Sequence, residues 1–231
     1  MSGQVIHDKT LGDITVRRNA RAKYVRIRVA PAGKLYVSAP RRTPLFMIKR
    51  IVVSSRADLE AMLKQQRPDT PMHDGADIGK SHTLIVRRGA VLNVQRQDLR
   101  IIVTLPADKT LTDPEVQEHL RVHIVAALRR EAKGYLPRRL SFLAEKHRFH
   151  YQRVRLSHAS SRWGSCSSSG TISLNIALMK LPFELIDYVI IHELAHTQHM
   201  NHSKTFWALV GKYDPEYMVH RTQLKQESPV I

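Results

Sequence analysis

The chain reads as an α+β protein on three observations. Short segments with alternating apolar and polar residues crowd its first half. Long stretches of apolar residues at helical spacing fill its second half. A stretch rich in Pro, Asp and Gly, Arg67–Lys80, separates a first set of strands and a helix from a second β segment. At 231 residues, with 42% hydrophobic and 25% charged residues, it can bury a real core. The expected division is a basic, β-rich region with hairpins and one helix over residues 1–110, followed by a helical domain over 111–231.

In the first region, Val25, Ile27 and Val29 share one face of a strand over Tyr24–Val29, with Arg26 and Arg28 on the other. Pro31, Ala32 and Gly33 make a turn into a second strand, Lys34–Ser38. Thr43 is placed as an N-cap and Pro44 as the first residue of a helix to about Gln66. Arg67–Lys80, rich in Pro, Asp and Gly, reads as a linker. Thr83–Arg88 and Val91–Arg96 are expected to pair as a hairpin about Gly89, with Ile101–Leu105 as a further strand.

Asp113 and Pro114 open a long helix towards His147, with an interruption expected between Gly134 and Pro137. Val154–Leu156 is a short strand. Arg162–Cys166 and Thr171–Ile176 form a hairpin around Ser167–Gly170. From Pro182 the chain is mostly helical. No internal repeat is evident.

Charge is uneven. The net charge is +17, and Arg17 to Arg56 holds twelve Lys or Arg and no acid. Arg121 to Arg155 is also basic, with Glu131 and Glu145 as its only acids; beyond Arg155 six bases balance six acids. Such a field attracts polyanions, so nucleic acid is an expected partner of the N-terminal half. A lone cysteine, Cys166, excludes an internal disulfide and an all-cysteine metal site. No apolar run is long enough to span a bilayer and no secretory pattern opens the chain, so no membrane role and a cytoplasmic location are expected.

The chemistry concentrates in His192-Glu193-Leu194-Ala195-His196. Leu185, Ile186, Val189, Ile190 and Leu194 recur at helical spacing behind Pro182, so both imidazoles lie one turn apart on one helix. Catalytic zinc takes three protein ligands and leaves a fourth position open. His192 and His196 supply two, and Glu193 is free to act as general base towards a zinc-activated water. For the third ligand His202 is preferred, because six residues beyond His196 allow the chain to turn back; His199, Glu216 and Glu227 are the alternatives. Arg162 is a candidate substrate contact, whereas Trp163, Cys166, Phe206 and Trp207 read as packing residues and Gly164 as a bend. Tyr188, Tyr213, Tyr217, His220 and Arg221 are candidates for stabilising an oxyanion.

His192 to Trp207, HELAHTQHMNHSKTFW, resembles the active-site segment of the YgjP-like metal-dependent hydrolases. Ser161-Arg162-Trp163-Gly164-Ser165-Cys166, Ile172-Ser173-Leu174-Asn175 and Ile186-Asp187-Tyr188 are similar to the same family. The resemblance implies a small zincin-type peptidase domain, distantly related to SprT-like and WLM proteases, some of which act on proteins attached to DNA. It implies Zn2+ held by His192, His196 and His202, and Glu193 as catalytic base on a protein or peptide substrate. The family commonly carries Lys before the Ser-Arg-Trp-Gly stretch, where this chain has Ala159-Ser160. A metzincin would carry Gly at position 199, where this chain has His199. The competing expectation is a basic nucleic-acid-binding protein with a structural zinc site, which would need a fourth ligand such as His199.

Overall fold

In the computed structural model the described residues are 4–8, 10–20, 22–30, 34–65 and 72–231. They form eleven strands and six helices, and the α+β expectation holds. The turn expected at Pro31–Gly33 lies outside the described residues, as does the first part of the expected linker, 67–71, while its later part carries the short strand Asp77–Ile78. Two compact units divide at Pro71 and Met72. This replaces the expected boundary at 110/111, because the β segment after Met72 shares one core with the long helix instead of standing with the N-terminal strands.

The first unit is a four-stranded sheet covered on one face by two helices. Its strands are β1 (Gln4–Asp8), β2 (Gly12–Asn19), β3 (Arg26–Ala30) and β4 (Lys34–Pro40), in the order β1-β2-β4-β3. β2 and β4 run parallel, and the outer pairs are antiparallel. Ile6, Ile14, Val16, Leu35, Val37 and Ala39 alternate onto one face and bury against Ile48 and Val52 of α1 (Leu45–Ser54) and Leu59 of α2 (Arg56–Gln65). The single expected helix is broken at Ser55, and Pro44, not Thr43, occupies the N-cap.

The second unit opens with a sheet of the same plan. Its strands β5 (Asp77–Ile78), β6 (His82–Arg88), β7 (Asn93–Gln97) and β8 (Arg100–Leu105) lie in the order β5-β6-β8-β7. β6 and β8 are parallel and the outer pairs antiparallel, as in the first sheet. The expected β6–β7 hairpin is therefore corrected. β8 carries buried Ile101, Ile102 and Val103 in succession, and a strand apolar on both faces takes a central position between the other two.

The two sheets are an internal repeat. Val16–Val37 in one register matches Val86–Val103 in the other. Arg18 donates to the carbonyls of Arg41 and Thr43 just past β4, and Arg88 donates to those of Pro106 and Lys109 just past β8. The repeat was invisible in sequence because a shared β plan needs only alternation and a few anchoring residues, which leaves most side chains free to differ.

α3 (Pro114–His147) runs unbroken through Pro137, against the expected interruption. Buried Leu128, Ala132, Leu136, Leu140 and Leu143 form a continuous stripe on both sides of that proline. Each buried leucine contributes about 1.5–3 kcal/mol, enough to outweigh one lost helical hydrogen bond. Arg148 ends the helix in the left-handed region, with φ 56°. A three-stranded sheet of β9 (Arg153–Ser157), β10 (Gly164–Cys166) and β11 (Thr171–Asn175) follows, with β11 central and β10 at one edge. A 3-10 turn over Ile176–Lys180 then leads into α4 (Phe183–Ala195), α5 (Lys204–Tyr213) and α6 (Tyr217–Gln226). Among the described residues no helix is long and apolar enough to cross a membrane.

Candidate metal centre

α4 is buried nearly all round, by Leu185, Ile186, Val189, Ile190, Ile191 and Leu194 among others, so its direction is set by packing. His192 and Glu193 lie in its last turn and His196 is its C-cap residue. The chain then turns, and Ser203 caps α5 by accepting from the Phe206 amide at 3.4 Å, which holds the neighbouring His202 at the start of that helix.

One ligand atom from each of His192, His196 and His202 lies within 4.8 Å of the other two. The Nε2 atoms of His192 and His202 approach to 3.1 Å. His196 donates its Nδ1 hydrogen to the His199 carbonyl at 3.0 Å, which fixes the tautomer and leaves Nε2 as the lone-pair nitrogen. Phe206 packs against all three imidazoles, at ring distances of 4.5–4.9 Å. Burial holds His192 down at about 3, helped by His196 and His202, and burial also lowers His196. Neutral imidazoles are the form that binds a cation, so the donor set fits a divalent metal.

Glu193 is 5% exposed, and its Oε2 has no hydrogen-bond partner. Burial pushes its carboxyl up to about 8, while the nearby Arg162 guanidinium pulls the other way. Gly164 of the edge strand lies directly against this carboxylate: a Cβ there would sit 2.6 Å from Glu193 Oε1. The glycine answers to that close approach, and not to the bend read from the sequence.

The loop ahead of β10 is tied down by Asn175, which is fully buried. Its Nδ2 donates to the carbonyls of Ala159 (2.6 Å) and Arg162 (2.8 Å), and its Oδ1 accepts from the Ala177 amide. No residue-by-residue reading singled out Asn175. A buried amide satisfied at both ends shows only once the fold is known.

Beyond the three histidines, Tyr188 is 4% exposed, with its ring 6.0 Å from His192 and 6.2 Å from His220. Burial pushes its phenol up to about 12. His220 donates Nδ1 to the buried Asp214 at 2.8 Å. Arg221 lies over Trp207, which stacks on Tyr217. Tyr213 packs instead against His147 and Phe149. Among the described residues His199, Glu216 and Glu227 do not join the three-histidine group.

Two imidazoles and a glutamate in the last turn of one helix, a third imidazole brought back by a turn, and an open strand edge beside them are the mark of metal-dependent peptidases, and this chain is one. It belongs to the YgjP-like family: the model described as YgjP-like, metallopeptidase domain matches residues 23–227. Among solved structures the chain is similar to the metallopeptidase zymogen abylysin of Pyrococcus abyssi, at 28% identity over 38% of this chain and 90% of that one, with a TM-score of 0.35. It is similar also to the zymogen jannalysin of Methanocaldococcus jannaschii, at 20% identity over 38% and 93%, with a TM-score of 0.33. No curated protein matches it.

Proposed function

We propose that this peptidase is zinc-dependent, that His192, His196 and His202 hold the ion, and that Glu193 is the general base in peptide-bond hydrolysis. The convergence of three imidazoles beside a buried, non-ligating carboxylate carries this reading. When bound, zinc supplies Lewis acidity and a water nucleophile active near neutral pH. Arg162 favours the charged form of Glu193 against the effect of burial, and a cation held by the histidines would act in the same direction. Glu193 then accepts a proton from the attacking water and passes it to the leaving amine.

An extended protein or peptide substrate pairs with the free edge of β10, which sets its scissile carbonyl beside Glu193 without demanding a particular sequence. Arg162 sits at the entry to that strand and contacts the substrate. His220, oriented by Asp214, is the candidate for stabilising the oxyanion. The substrates are read as proteins associated with nucleic acid, on the strength of the basic N-terminal half. The rival reading, a non-catalytic structural zinc, is disfavoured by the three-member donor set, since structural sites close with four.

The test compares wild type with Glu193→Gln on an unfolded protein substrate, with and without DNA, after zinc content is measured by atomic absorption. Bound zinc with lost cleavage in the variant is expected. Cleavage by Glu193→Gln at the wild-type rate, or a zinc-loaded wild type without any turnover, would overturn the reading.

A further inference from the structure

The outer face of the first sheet combines exposed arginines with tyrosines. Its inner face is apolar and buried, and alternation therefore turns Thr15, Arg17, Arg26, Arg28, Tyr36 and Ser38 outward. The register sets them in two rows across the sheet, Thr15–Tyr36–Arg28 and Arg17–Ser38–Arg26. Arg17, Arg26 and Arg28 are exposed, and the Arg17 guanidinium lies 5.0 Å from the centre of the Tyr36 ring. Tyr24, 72% exposed, precedes Arg26 by two residues. The carboxylate on this side, Asp13, pairs with His7 at the far end.

These side chains could simply be what such a sheet requires, and the internal repeat answers that. In the second sheet the registers put Asn93, Gln95 and Ile102 where the first has Arg26, Arg28 and Tyr36. Arg17 keeps an arginine, Arg87, at its place, but the same strand order and pairing form without Arg26, Arg28 or Tyr36, so the fold does not demand those three.

We propose that this face binds single-stranded nucleic acid, with Arg17, Arg26 and Arg28 on the phosphates and bases stacked on the Tyr36–Arg17 pair. An aromatic ring and a guanidinium plane laid on an open sheet offer flat surfaces to unstacked bases, which a duplex does not expose. An acidic peptide would use the charges but has no need of the ring. The inference deepens the nucleic-acid side of the proposed function and is independent of the metal-site chemistry.

The experiment measures anisotropy of labelled 20-nucleotide RNA and DNA single strands, the matching duplex, and polyglutamate, with the full-length protein, from about 50 to 200 mM salt. Single strands bind about 10-fold more tightly than duplex or polyglutamate, as expected for a stacking platform. Tyr36→Leu weakens single-strand binding roughly 5- to 100-fold and leaves duplex binding unchanged, while Tyr36→Phe retains it. Arg26→Gln/Arg28→Gln, altered only at exposed positions, reduces the salt slope by about 1.4. Asn93→Ala/Gln95→Ala in the second sheet changes nothing.

Circular dichroism melts verify the fold, and the arginine pair keeps the test decisive if Tyr36→Leu unfolds. Salt-sensitive binding that ignores Tyr36, Arg26 and Arg28 overturns this face while leaving a nucleic-acid partner in place. Equal affinity for polyglutamate, or no binding at low salt, overturns both. Cleavage is read separately and is unaffected by either outcome.

Discussion

The two four-stranded sheets share a strand order, a pattern of parallel and antiparallel pairs, and an arginine that satisfies the loop leaving the last strand. They differ in what surrounds that plan. Both must satisfy the backbone at the turn between their first two strands, and each does so with a carboxylate of opposite placement. In the first, Asp8 lies in the turn, accepts from the Thr10 and Leu11 amides, and pairs with Arg56 of α2. In the second, Glu131 reaches down from α3 and accepts from the amides of Lys80 and Ser81, the Ser81 hydroxyl and the His82 ring. Both carboxylates are largely covered, but Asp8 pairs with a partly exposed arginine, whereas Glu131 pairs with a buried histidine and fastens its sheet to α3. The same architecture is thus tied to α2 in one copy and, in the other, to the long helix of the unit that carries the three histidines.

The largest expected effect separates the two units by function. Glu193→Gln should lower cleavage by roughly 10²- to 10⁴-fold, the usual reach of general base catalysis, while leaving nucleic-acid binding and zinc content unchanged. A parallel loss of zinc would point to a structural role for Glu193. Next comes Gly164→Ala, whose methyl group would displace the Glu193 carboxylate. A fall in kcat of about 10- to 100-fold with KM and zinc content nearly constant is expected, since misplacement of this order costs that much. Unchanged kcat would show that the close approach has no bearing on the chemistry.

The turn ties give a comparison in stability. Glu131→Ala strands His82, which is 2% exposed, and two backbone amides, and should cost about 3–5 kcal/mol. Asp8→Ala should cost less, about 1–2 kcal/mol, because its partner Arg56 is 39% exposed and regains water when the pair is broken. Calorimetry that found equal losses would erase the distinction drawn between the copies.

The smallest effect is on pH. The Arg56 hydrogen bond holds Asp8 at about 2, helped by the two amides. Burial pushes the Glu131 carboxyl up, but the hydrogen bonds from His82, Lys80 and Ser81 outweigh it and leave it below its ordinary value. Both folded values lie below the unfolded ones, so both ties are at full strength above the unfolded carboxylate range, near 4, and weaken as pH falls. For Asp8 the contribution is lost as pH passes through about 2. Melting curves between pH 5 and 2 should therefore flatten in Asp8→Asn relative to wild type. An unaltered acid limb would remove Asp8 from the account.

Much of the metal centre was legible because it is written locally. His192 and His196 are four residues apart on a helix whose apolar residues announce it, and that spacing alone stacks two imidazoles. The basic N-terminal half and the α+β class are properties of composition and alternation, which need no partner to be read. What the tertiary structure decided involves residues far apart in the chain. The convergence of His202 on the other two imidazoles follows from a turn and the capping of α5. Gly164 owes its identity to a carboxylate on another element, and Asn175 to loop carbonyls 13 and 16 residues away. Strand order escaped in the second sheet because alternation records which face of a strand is buried but not which strand lies beside it. The repeat, and with it the contrast between a face with three arginines and a tyrosine and one that keeps only Arg87 of the four, became visible only when register placed Tyr36 and Ile102 at the same point of one plan.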